Sequence, residues 1–476
     1  MTSPNDAPPA PARDQFVRGI GPLAATSLVV GSMIGSGIFI VSADIGRQVS
    51  QWGPGALLLV WVVTGAMTVT GALAYAELAA MMPKAGGQYV FLREGLSPLA
   101  GFLYGWTLFA VIQTGTIAAV AVAFAKFLGV VWPAVSESKT RIGPLSVSAA
   151  QAVGVAVIVL LTASNARGLK TGTATQNVFT FAKLAALLAL TLAGLLLARE
   201  GGALRSPDLW RAASPEGRPL AGTALLVALG VAMVGPLFSQ SAWNNVTFAG
   251  EEVESPGKTL PRALLVGCLL ATSVYVFANV AYLNVLPLSS IQHAPSDRVA
   301  TAVATALFGP AAAGAMAVAI MVSTFGCVNG LILSGARVSF AMARDGLFFR
   351  GLQRLNSAAV PRNALWAQAL WASILVLSGS YSDLLEYVIS ADILFYVLLV
   401  VAVIVLRRRR PDLPRPFRAP GYPVLPLVYA AAGGVLIAIL LVANPRTTWP
   451  GYALVATGVP VYFLWRRRAP AVDGAP

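Results

Sequence analysis

The residues most suggestive of chemistry form a short glycine- and serine-rich run inside an apolar segment. Gly31-Ser32-Met33-Ile34-Gly35-Ser36-Gly37 lies within residues 22–46, which are enough to cross a bilayer. Glycine weakens a helix, and each backbone group left unpaired in hydrocarbon costs several kcal/mol. Such a break is tolerated where it lines a protected cavity, so we expect it to mark a binding site.

The two half-helices beside such a break present opposite partial charges. Free amides at the start of the second half-helix favour an anion, and free carbonyls at the end of the first favour a cation. A small ligand that carries both charges on one carbon is an amino acid. The break therefore predicts an amino acid site within the membrane.

A second interrupted segment follows about five spans later in the chain. From Gly235 to Asn245 it contains Pro236, which removes a backbone donor, and then a small polar run that is weakly helical. Either break alone would fit helix packing. Because they fall at matching places, in spans one and six, they predict two inverted five-helix repeats with the site between them.

The composition is that of a membrane protein. Hydrophobic residues make up 57% of the chain, charged residues only 11%, and the mean hydropathy is +0.73. Soluble proteins carry about twice that share of charge. Apolar windows of roughly 20 residues predict twelve transmembrane helices. They lie at 22–46, 55–81, 98–130, 147–165, 174–198, 221–250, 262–286, 300–342, 364–379, 383–406, 423–443 and 448–465.

The Lys and Arg residues behind the net charge of +14 are concentrated on one side of the predicted membrane. An even number of spans puts both termini on one side, whose loops hold 22 of the 33 Lys and Arg residues, against 10 opposite. The positive-inside rule assigns that side to the cytoplasm. We interpret Arg407–Arg410 and Arg466–Arg468 as anchors to the lipid bilayer, and we expect no nucleic acid partner.

Other functional classes are less compatible with these residues. Cys268 and Cys327 both lie in predicted spans, and His293 is the only histidine, so we expect no disulfide framework, metal cluster or cofactor. An enzyme would need a nucleophile–base pair that is not recognisable here. A channel usually shows a repeated filter rather than two unlike halves. Both remain remote alternatives to a carrier.

The chain is expected to form one membrane domain with short appendages. Residues 1–21 are predicted to be a disordered cytoplasmic tail rather than a signal peptide, and 22–406 a ten-helix transport core. A basic, proline-rich linker at 407–421 precedes two more spans in 422–465, and 466–476 form a second cytoplasmic tail.

Ordered sequence matches over roughly residues 18–443 carry a family resemblance. They are Ile34–Phe39, Gly71–Leu78, Lys84–Tyr89, Phe179–Leu184, Phe238–Asn244 with Glu251 and Glu252, Pro261–Ala263, and Phe325–Gly330. In these stretches the chain resembles the amino acid–polyamine–organocation (APC) superfamily, specifically the L-type amino acid exchangers and their bacterial relatives.

The resemblance implies an all-α integral membrane fold of twelve transmembrane helices. Ten of them would form a LeuT-like 5+5 inverted repeat, with helices 1 and 6 interrupted and alternating access between the two sides. Amides around Gly35–Gly37 would hold the substrate carboxylate, carbonyls near Met33, Ile34 and Phe238 the ammonium, and Phe238 would be the gate. The implied binding residues are Met33, Ile34, Gly35, Ser36, Gly37, Ile38, Phe238, Ser239, Ser241, Ala242 and Asn244.

The sequence departs from the family pattern in two places. Ala242 stands where the family often has glycine before the tryptophan of span six, and its methyl puts the largest aromatic substrates in doubt. Residues 131–146 contain no cysteine, so we expect no disulfide-linked heavy chain of the kind that animal members bind.

Lys183 is the candidate for coupling, because an ammonium at mid-membrane must face oxygen acceptors inside the protein. The resemblance suggests that it replaces a cation between spans one and eight, contacting carbonyls near Gly31 and the hydroxyls of Ser323 or Thr324. Two interpretations stay open. Lys183 either loses a proton during the cycle or is a permanently charged tie between helices.

Other polar residues in the spans have more than one reading. Glu77 is expected to pair with a basic residue at the cytoplasmic end of span two. Asp392 could attract a cationic substrate or cap a polar contact, and its side-chain direction is not readable. Three residues of span three are candidates for the side-chain pocket: Gln113, Thr114 and Thr116.

Together these features predict a secondary transporter of neutral L-amino acids, working by exchange or proton symport in a bacterial inner membrane. A carrier of cationic amino acids or amines is the alternative. Asp392 would favour that alternative, and the absence of an acidic residue near Ser241 disfavours it.

Overall fold

The computed structural model describes residues 16–135, 139–142, 145–198, 201–210, 223–378 and 381–468. Most of the two predicted tails, 1–21 and 466–476, lies outside these ranges. The described part is mostly helical.

The helices of the first half are α1 (Pro22–Met33), α2 (Gly37–Ile40), α3 (Ser42–Gln48), α4 (Pro54–Met81), α5 (Gln88–Gly95), α6 (Pro98–Thr107), α7 (Gln113–Val131), α8 (Ala149–Asn165) and α9 (Leu169–Leu196). Those of the second half are α10 (Thr223–Ala232), α11 (Val234–Ser239), α12 (Asn245–Phe248), α13 (Pro256–Val285), α14 (Leu288–Gln292), α15 (Val299–Phe308), α16 (Ala312–Arg344), α17 (Arg362–Ser378), α18 (Tyr381–Arg409), α19 (Val424–Ala443) and α20 (Pro445–Arg468).

A short antiparallel hairpin precedes α8. Its strands are β1 (Lys139–Ile142) and β2 (Leu145–Ser148), with Lys139 opposite Ser148. Ser148 ends β2 and caps α8, because its hydroxyl accepts from the Gln151 amide (3.1 Å) while the Gln151 side chain accepts from the Ser148 amide (3.0 Å). The sequence analysis did not predict these strands.

Eight helical segments are long and apolar enough to cross a membrane. They are Pro22–Ile40, Pro54–Met81, Pro98–Val131, Gly172–Leu196, Pro256–Val285, Ala312–Arg344, Val388–Arg409 and Val424–Ala443. Helices also occupy the other four predicted positions, as α8, α10–α12, α17 and α20, but these are shorter, interrupted or less apolar. The chain is therefore a multi-pass membrane protein.

The predicted span at 300–342 is in fact two helices. Gly309 has φ +86°, a left-handed conformation that favours glycine, and Pro310 follows it, so α15 ends there and α16 begins anew. Span three also departs from a plain α-helix, because Leu108–Ile112 form a π-helical turn between α6 and α7. The indole of Trp371 donates to the Ala110 carbonyl of this turn at 2.8 Å.

The broken first span is the centre of the bundle. Residues 27–43 are all buried, so this segment does not face lipid. It packs against α9, α13 and α16. Contact with α13 is close, since a Cβ on Gly267 would lie 2.5 Å from Cγ1 of Val29. The surrounding helices thereby supply the protected environment that a break in a span requires.

Candidate functional site

The first interruption lies where the sequence predicts it. α1 ends at Met33 and α2 begins at Gly37, so Ile34, Gly35 and Ser36 are non-helical and buried. Ile34 has an extended backbone, with φ −75° and ψ 90°. The amides and carbonyls of these residues leave the regular helical pattern inside the bundle, where only protein groups or a ligand can pair with them.

The second interruption separates α11, which ends at Ser239, from α12, which begins at Asn245. Within it, both the amide and the hydroxyl of Ser241 donate to the Phe238 carbonyl, at 3.1 and 2.8 Å. Ala242 has φ +64°, a left-handed conformation that costs a residue with a Cβ about 1–2 kcal/mol. Alanine at this position therefore strains the break, where glycine would not.

The two interruptions touch each other. A Cβ on Gly37 would lie 1.9 Å from Oγ and 2.7 Å from Cβ of Ser239, so only glycine fits without movement. The Tyr275 hydroxyl, on α13, lies 2.8 Å from the Met33 carbonyl oxygen and 3.0 Å from that of Ser239. Tyr275 thus joins both breaks to one neighbouring helix. The sequence analysis missed it, and a phenol inside an apolar span was the available signal.

All three carbonyls expected to receive the substrate ammonium already have donors in this structure. The Ile34 carbonyl accepts from two side chains, on α9 and α16, and the Phe238 carbonyl accepts twice from Ser241. The Met33 carbonyl accepts from Tyr275. Since a carbonyl oxygen has two lone pairs, the Met33 carbonyl can accept a further hydrogen bond more readily than those of Ile34 and Phe238.

Lys183 reaches the first break from α9. Its side chain is 1% exposed, and its ammonium donates to the carbonyls of Gly31 at 2.8 Å and Ile34 at 2.6 Å. The Gly31 contact is the one the sequence analysis expected. A buried cation is thereby supplied with oxygen acceptors by the interrupted helix itself.

The two hydroxyls assigned to the Lys183 group behave differently. The Ser323 hydroxyl lies 3.4 Å from the Ile34 carbonyl oxygen and 3.3 Å from that of Gly35, so it shares an acceptor with Lys183. The Thr324 hydroxyl instead donates within its own helix, to the Ile320 carbonyl at 2.9 Å. Serine and threonine hydroxyls commonly donate to a carbonyl of their own helix in this way. The sequence does not distinguish such a bond from one to a neighbouring helix.

Two enclosed cavities adjoin the second break. The smaller has free space for about one water molecule and is lined by residues that include Gln113, Thr116, Ser241, Ala242 and Asn244. The larger has free space for about one or two water molecules and is lined by residues that include Gln240, Ser241 and Trp243. Ser241 and Asp392 line both. Together the cavities mark a position beside the break that has polar groups in both linings and little free space in this conformation.

Only part of the predicted binding set lines these cavities. Ser241, Ala242 and Asn244 do, whereas the remaining members are buried around the breaks outside the two linings: Met33, Ile34, Gly35, Ser36, Gly37, Ile38, Phe238 and Ser239. Of the span-three candidates, Gln113 and Thr116 line the smaller cavity. Thr114 donates to the Phe109 carbonyl of the preceding π-helical turn, at 2.7 Å.

Glu77 pairs with basic residues, as predicted. Its carboxylate accepts from Arg407 at 2.9 and 2.5 Å and from the Ala419 amide at 2.8 Å, and Arg415 lies 3.4 Å away. Arg407 was expected to anchor the chain to lipid, and this was wrong. Arg407 instead holds the linker against span two, because the buried Glu77 carboxylate needs a cationic partner.

Ion pairs join the elements at both ends of the bundle. At one end Glu252 pairs with Arg337, both buried, and Glu251 with Arg344 at 2.8 Å. Burial opposes ionisation of Glu251, but its hydrogen bonds to Arg344 and a backbone amide, with nearby positive charge, hold the pKa of that carboxyl below its usual value. At the other end Arg47 pairs with Asp297 at 2.8 Å. These pairs tie α16 to the turn that follows α12, and α3 to the segment before α15.

The described residues do not form a candidate metal site. Within the described ranges, no group of three or more His, Cys, Asp or Glu side chains could hold a metal ion. What the site does offer is paired half-helix ends, a buried ammonium and a small polar cavity. This arrangement can bind a small charged molecule reversibly within a membrane.

Comparisons with known proteins agree with this geometry. A family model described as amino acid permease matches residues 20–463. The large neutral amino acids transporter small subunit 2 of Homo sapiens is 32% identical over 455 residues, covering 94% of this chain and 80% of that protein. Asc-type amino acid transporter 1 of Mus musculus is 29% identical over 467 residues, covering 95% and 82%. The b(0,+)-type amino acid transporter 1 of Mus musculus is 27% identical over 455 residues, covering 94% and 87%.

The fold and the site thus define a membrane transporter rather than an enzyme. The chain belongs to the amino acid permease family, within the superfamily that its sequence motifs resemble. Its relatives named above are amino acid transporters of the large-neutral, Asc and b(0,+) types.

The Tyr275 bridge yields the first prediction. Tyr275→Phe removes the one donor that the carbonyls of Met33 and Ser239 share, and we expect it to lower the free energy of unfolding by about 1 kcal/mol. Tyr282→Phe is the matched control on the same helix, since the buried Tyr282 hydroxyl has no hydrogen-bond partner among the described residues. Thermal unfolding of detergent-purified protein measures both. Equal shifts in the two variants would contradict a bridging role.

Proposed function

We propose that this chain transports small to medium neutral L-amino acids by alternating access, either as an exchanger or as a proton-coupled symporter. The observation that carries the proposal is the pair of touching helix breaks, at residues 34–36 and 240–244, beside an enclosed polar cavity. The relatives named for large neutral amino acids and as Asc-type support the substrate class.

Within this site, half-helix electrostatics suggest how the substrate is held. The amides of Gly35, Ser36 and Gly37 would take the carboxylate, and the Met33 carbonyl would take the ammonium. The substrate side chain would extend past Ser241 into the smaller cavity. Phe238, which is 5% exposed, would close over the substrate as the gate.

We further propose the finer layout that the family resemblance implies. Twelve transmembrane helices would comprise two inverted five-helix repeats and two additional spans, with helices 1 and 6 interrupted. Residues 22–406 would be the transport core, 407–421 the basic linker and 422–465 the last two spans. The observed α18 continues past the start of that linker to Arg409.

Location and partners follow from charge and cysteine placement. The excess of Lys and Arg on one side supports an orientation with both termini in the cytoplasm. The missing cysteine at 131–146 is our ground for proposing the bacterial inner (plasma) membrane as the location. One relative is named as a small subunit, which implies a partner for that protein. For this chain we propose no disulfide-linked heavy chain, because residues 131–146 contain no cysteine.

Lys183 would couple the position of the first half-helix, α1, to the conformation of the helices around it. Its ammonium is bonded to carbonyls on α1 and at the break, so movement of α1 must break or stretch these bonds. Either a permanent charge or a proton lost during the cycle would serve this role.

Uptake into proteoliposomes tests the function. A panel of labelled amino acids would be offered with and without internal amino acid, and with and without an inward proton gradient. We expect saturable uptake of neutral members, stimulated either by internal substrate or by the gradient. Preferential uptake of cationic members would favour the alternative carrier, and no saturable uptake of any member would contradict the proposal.

The proposed position of the substrate carboxylate predicts that a side chain at residue 37 abolishes substrate binding. Gly37→Ala places a methyl group among the amides and against Ser239, so we expect no measurable binding of the best panel substrate in titration calorimetry. Gly434→Ala is the control, because a Cβ there meets no atom within 4 Å. The double variant Gly37→Ala with Ser239→Gly removes the clash with the Ser239 side chain. We expect it to remain inactive, and restored binding would show that the clash alone, not the carboxylate position, was responsible.

Lys183 should matter more for cycling than for binding. We expect Lys183→Ala to reduce the rate of uptake by about tenfold or more, equivalent to roughly 1.4 kcal/mol, while the dissociation constant changes much less. Lys126→Ala, a partly exposed lysine of span three, serves as control. Wild-type uptake with an unchanged pH profile in Lys183→Ala would remove Lys183 from the coupling step.

A further inference from the structure

Asp392 is a buried acidic side chain that the half-helix mechanism does not use. It lies on α18 and is 3% exposed. It lines both cavities beside the second break, and among the predicted site residues only Ser241 does the same. The carboxyl group therefore stands between the proposed side-chain pocket and the second, larger space.

The surroundings of Asp392 are aromatic rather than cationic. Four buried phenols interact electrostatically with it, each from a different helix: Tyr75 on α4, Tyr104 on α6, Tyr396 on α18 and Tyr429 on α19. The Trp243 ring stacks on Tyr396, with centroids 5.1 Å apart, and meets Tyr75 edge-on at 5.0 Å. In the described part of the chain, Asp392 forms no ion pair with a lysine, arginine or histidine.

An ionised carboxylate is costly in such a place. Charges removed from water without a cationic partner carry a large desolvation penalty, and a carboxyl group avoids it by taking up a proton. The other buried acids show the contrast, since Glu77 and Glu252 each have an arginine partner. Among the described residues, Asp392 adjoins phenols and the polar and apolar linings of the two cavities, without a cationic partner.

We propose that Asp392 is a proton-binding site that links the closed state of the cavity to pH. With the cavity closed, the carboxyl oxygen holds a proton taken from water. When the cavity opens to solvent, the ionised form is hydrated and the proton returns to water. Closure around a substrate then requires proton uptake, so occlusion and transport fall as the pH rises.

This assignment rests on the proposed site and deepens it in one respect. A protonated Asp392 carries no charge, so it would not favour a cationic substrate, and it can donate or accept a hydrogen bond with a neutral one. It also separates proton binding from Lys183, whose ammonium is bonded to carbonyls at the first break. Loss of pH dependence should therefore follow changes at Asp392.

The test combines a spectroscopic and a transport measurement on Asp392→Asn, a neutral isostere. Infrared difference spectra of the substrate-free protein, recorded against pH, should show a protonated carboxyl band that is absent in Asp392→Asn. In proteoliposomes, wild-type uptake should fall with rising pH by up to about tenfold per pH unit, as a single-proton step allows, and the variant should be much less sensitive. Asp412→Asn, an exposed carboxyl on the linker, should keep both the band and the wild-type profile.

Each outcome is decisive. The proposal is overturned if Asp392→Asn keeps the infrared band and the wild-type pH profile, or if the variant instead loses a dependence on sodium at constant pH. If Asp392→Asn does not fold, Asp392→Glu should retain the band at a displaced frequency, and an unmoved band would also reject the assignment. Because the infrared measurement uses no substrate, it stays valid if no amino acid on the panel is transported.

Discussion

Backbone groups inside a bilayer must be paired, and the structure depends on how this constraint is met where two membrane helices are interrupted. In the first break the carbonyls are not left to lipid. They accept bonds from Lys183 on α9, Tyr275 on α13 and Ser323 on α16. These three helices are the ones that pack around α1, so the central position of the broken span and the identity of its neighbours have the same physical cause.

The same bonds connect binding with movement. The Ile34 carbonyl accepts from two side chains and the Phe238 carbonyl from the amide and hydroxyl of Ser241, whereas the Met33 carbonyl shares a single phenol proton with that of Ser239. A substrate ammonium that approaches these oxygens must add to, or replace, donors that hold the half-helices in place. In the proposed mechanism, substrate binding and helix position would thereby be coupled, as a carrier whose binding site changes sides requires.

Polar side chains with ion-pair partners and those without have different roles in this protein. Arg407 and Arg337 neutralise Glu77 and Glu252 at the end of the bundle and fasten the linker and the second broken span. Asp392 has no such partner among the described residues and lies where the cavities meet. The proposed proton site is the physical consequence of that difference, because burial without a counter-charge favours the neutral acid.

The sequence alone determined the membrane class, the positions of the two breaks and the family, because these depend on composition, on weakly helical runs such as the glycines around Gly35 and the small polar residues after Pro236, and on motifs. It also indicated the pairing of Glu77 and the contact of Lys183 with Gly31. Only the tertiary structure decided that the Ser323 hydroxyl contacts a neighbouring helix, whereas that of Thr324 bonds within its own. It also decided that Arg407 faces Glu77 rather than lipid. Tyr275 and the cavity position of Asp392 likewise needed coordinates. The reason is that helical periodicity fixes a residue's place on its own helix, whereas its partners depend on how the helices are rotated and packed against one another.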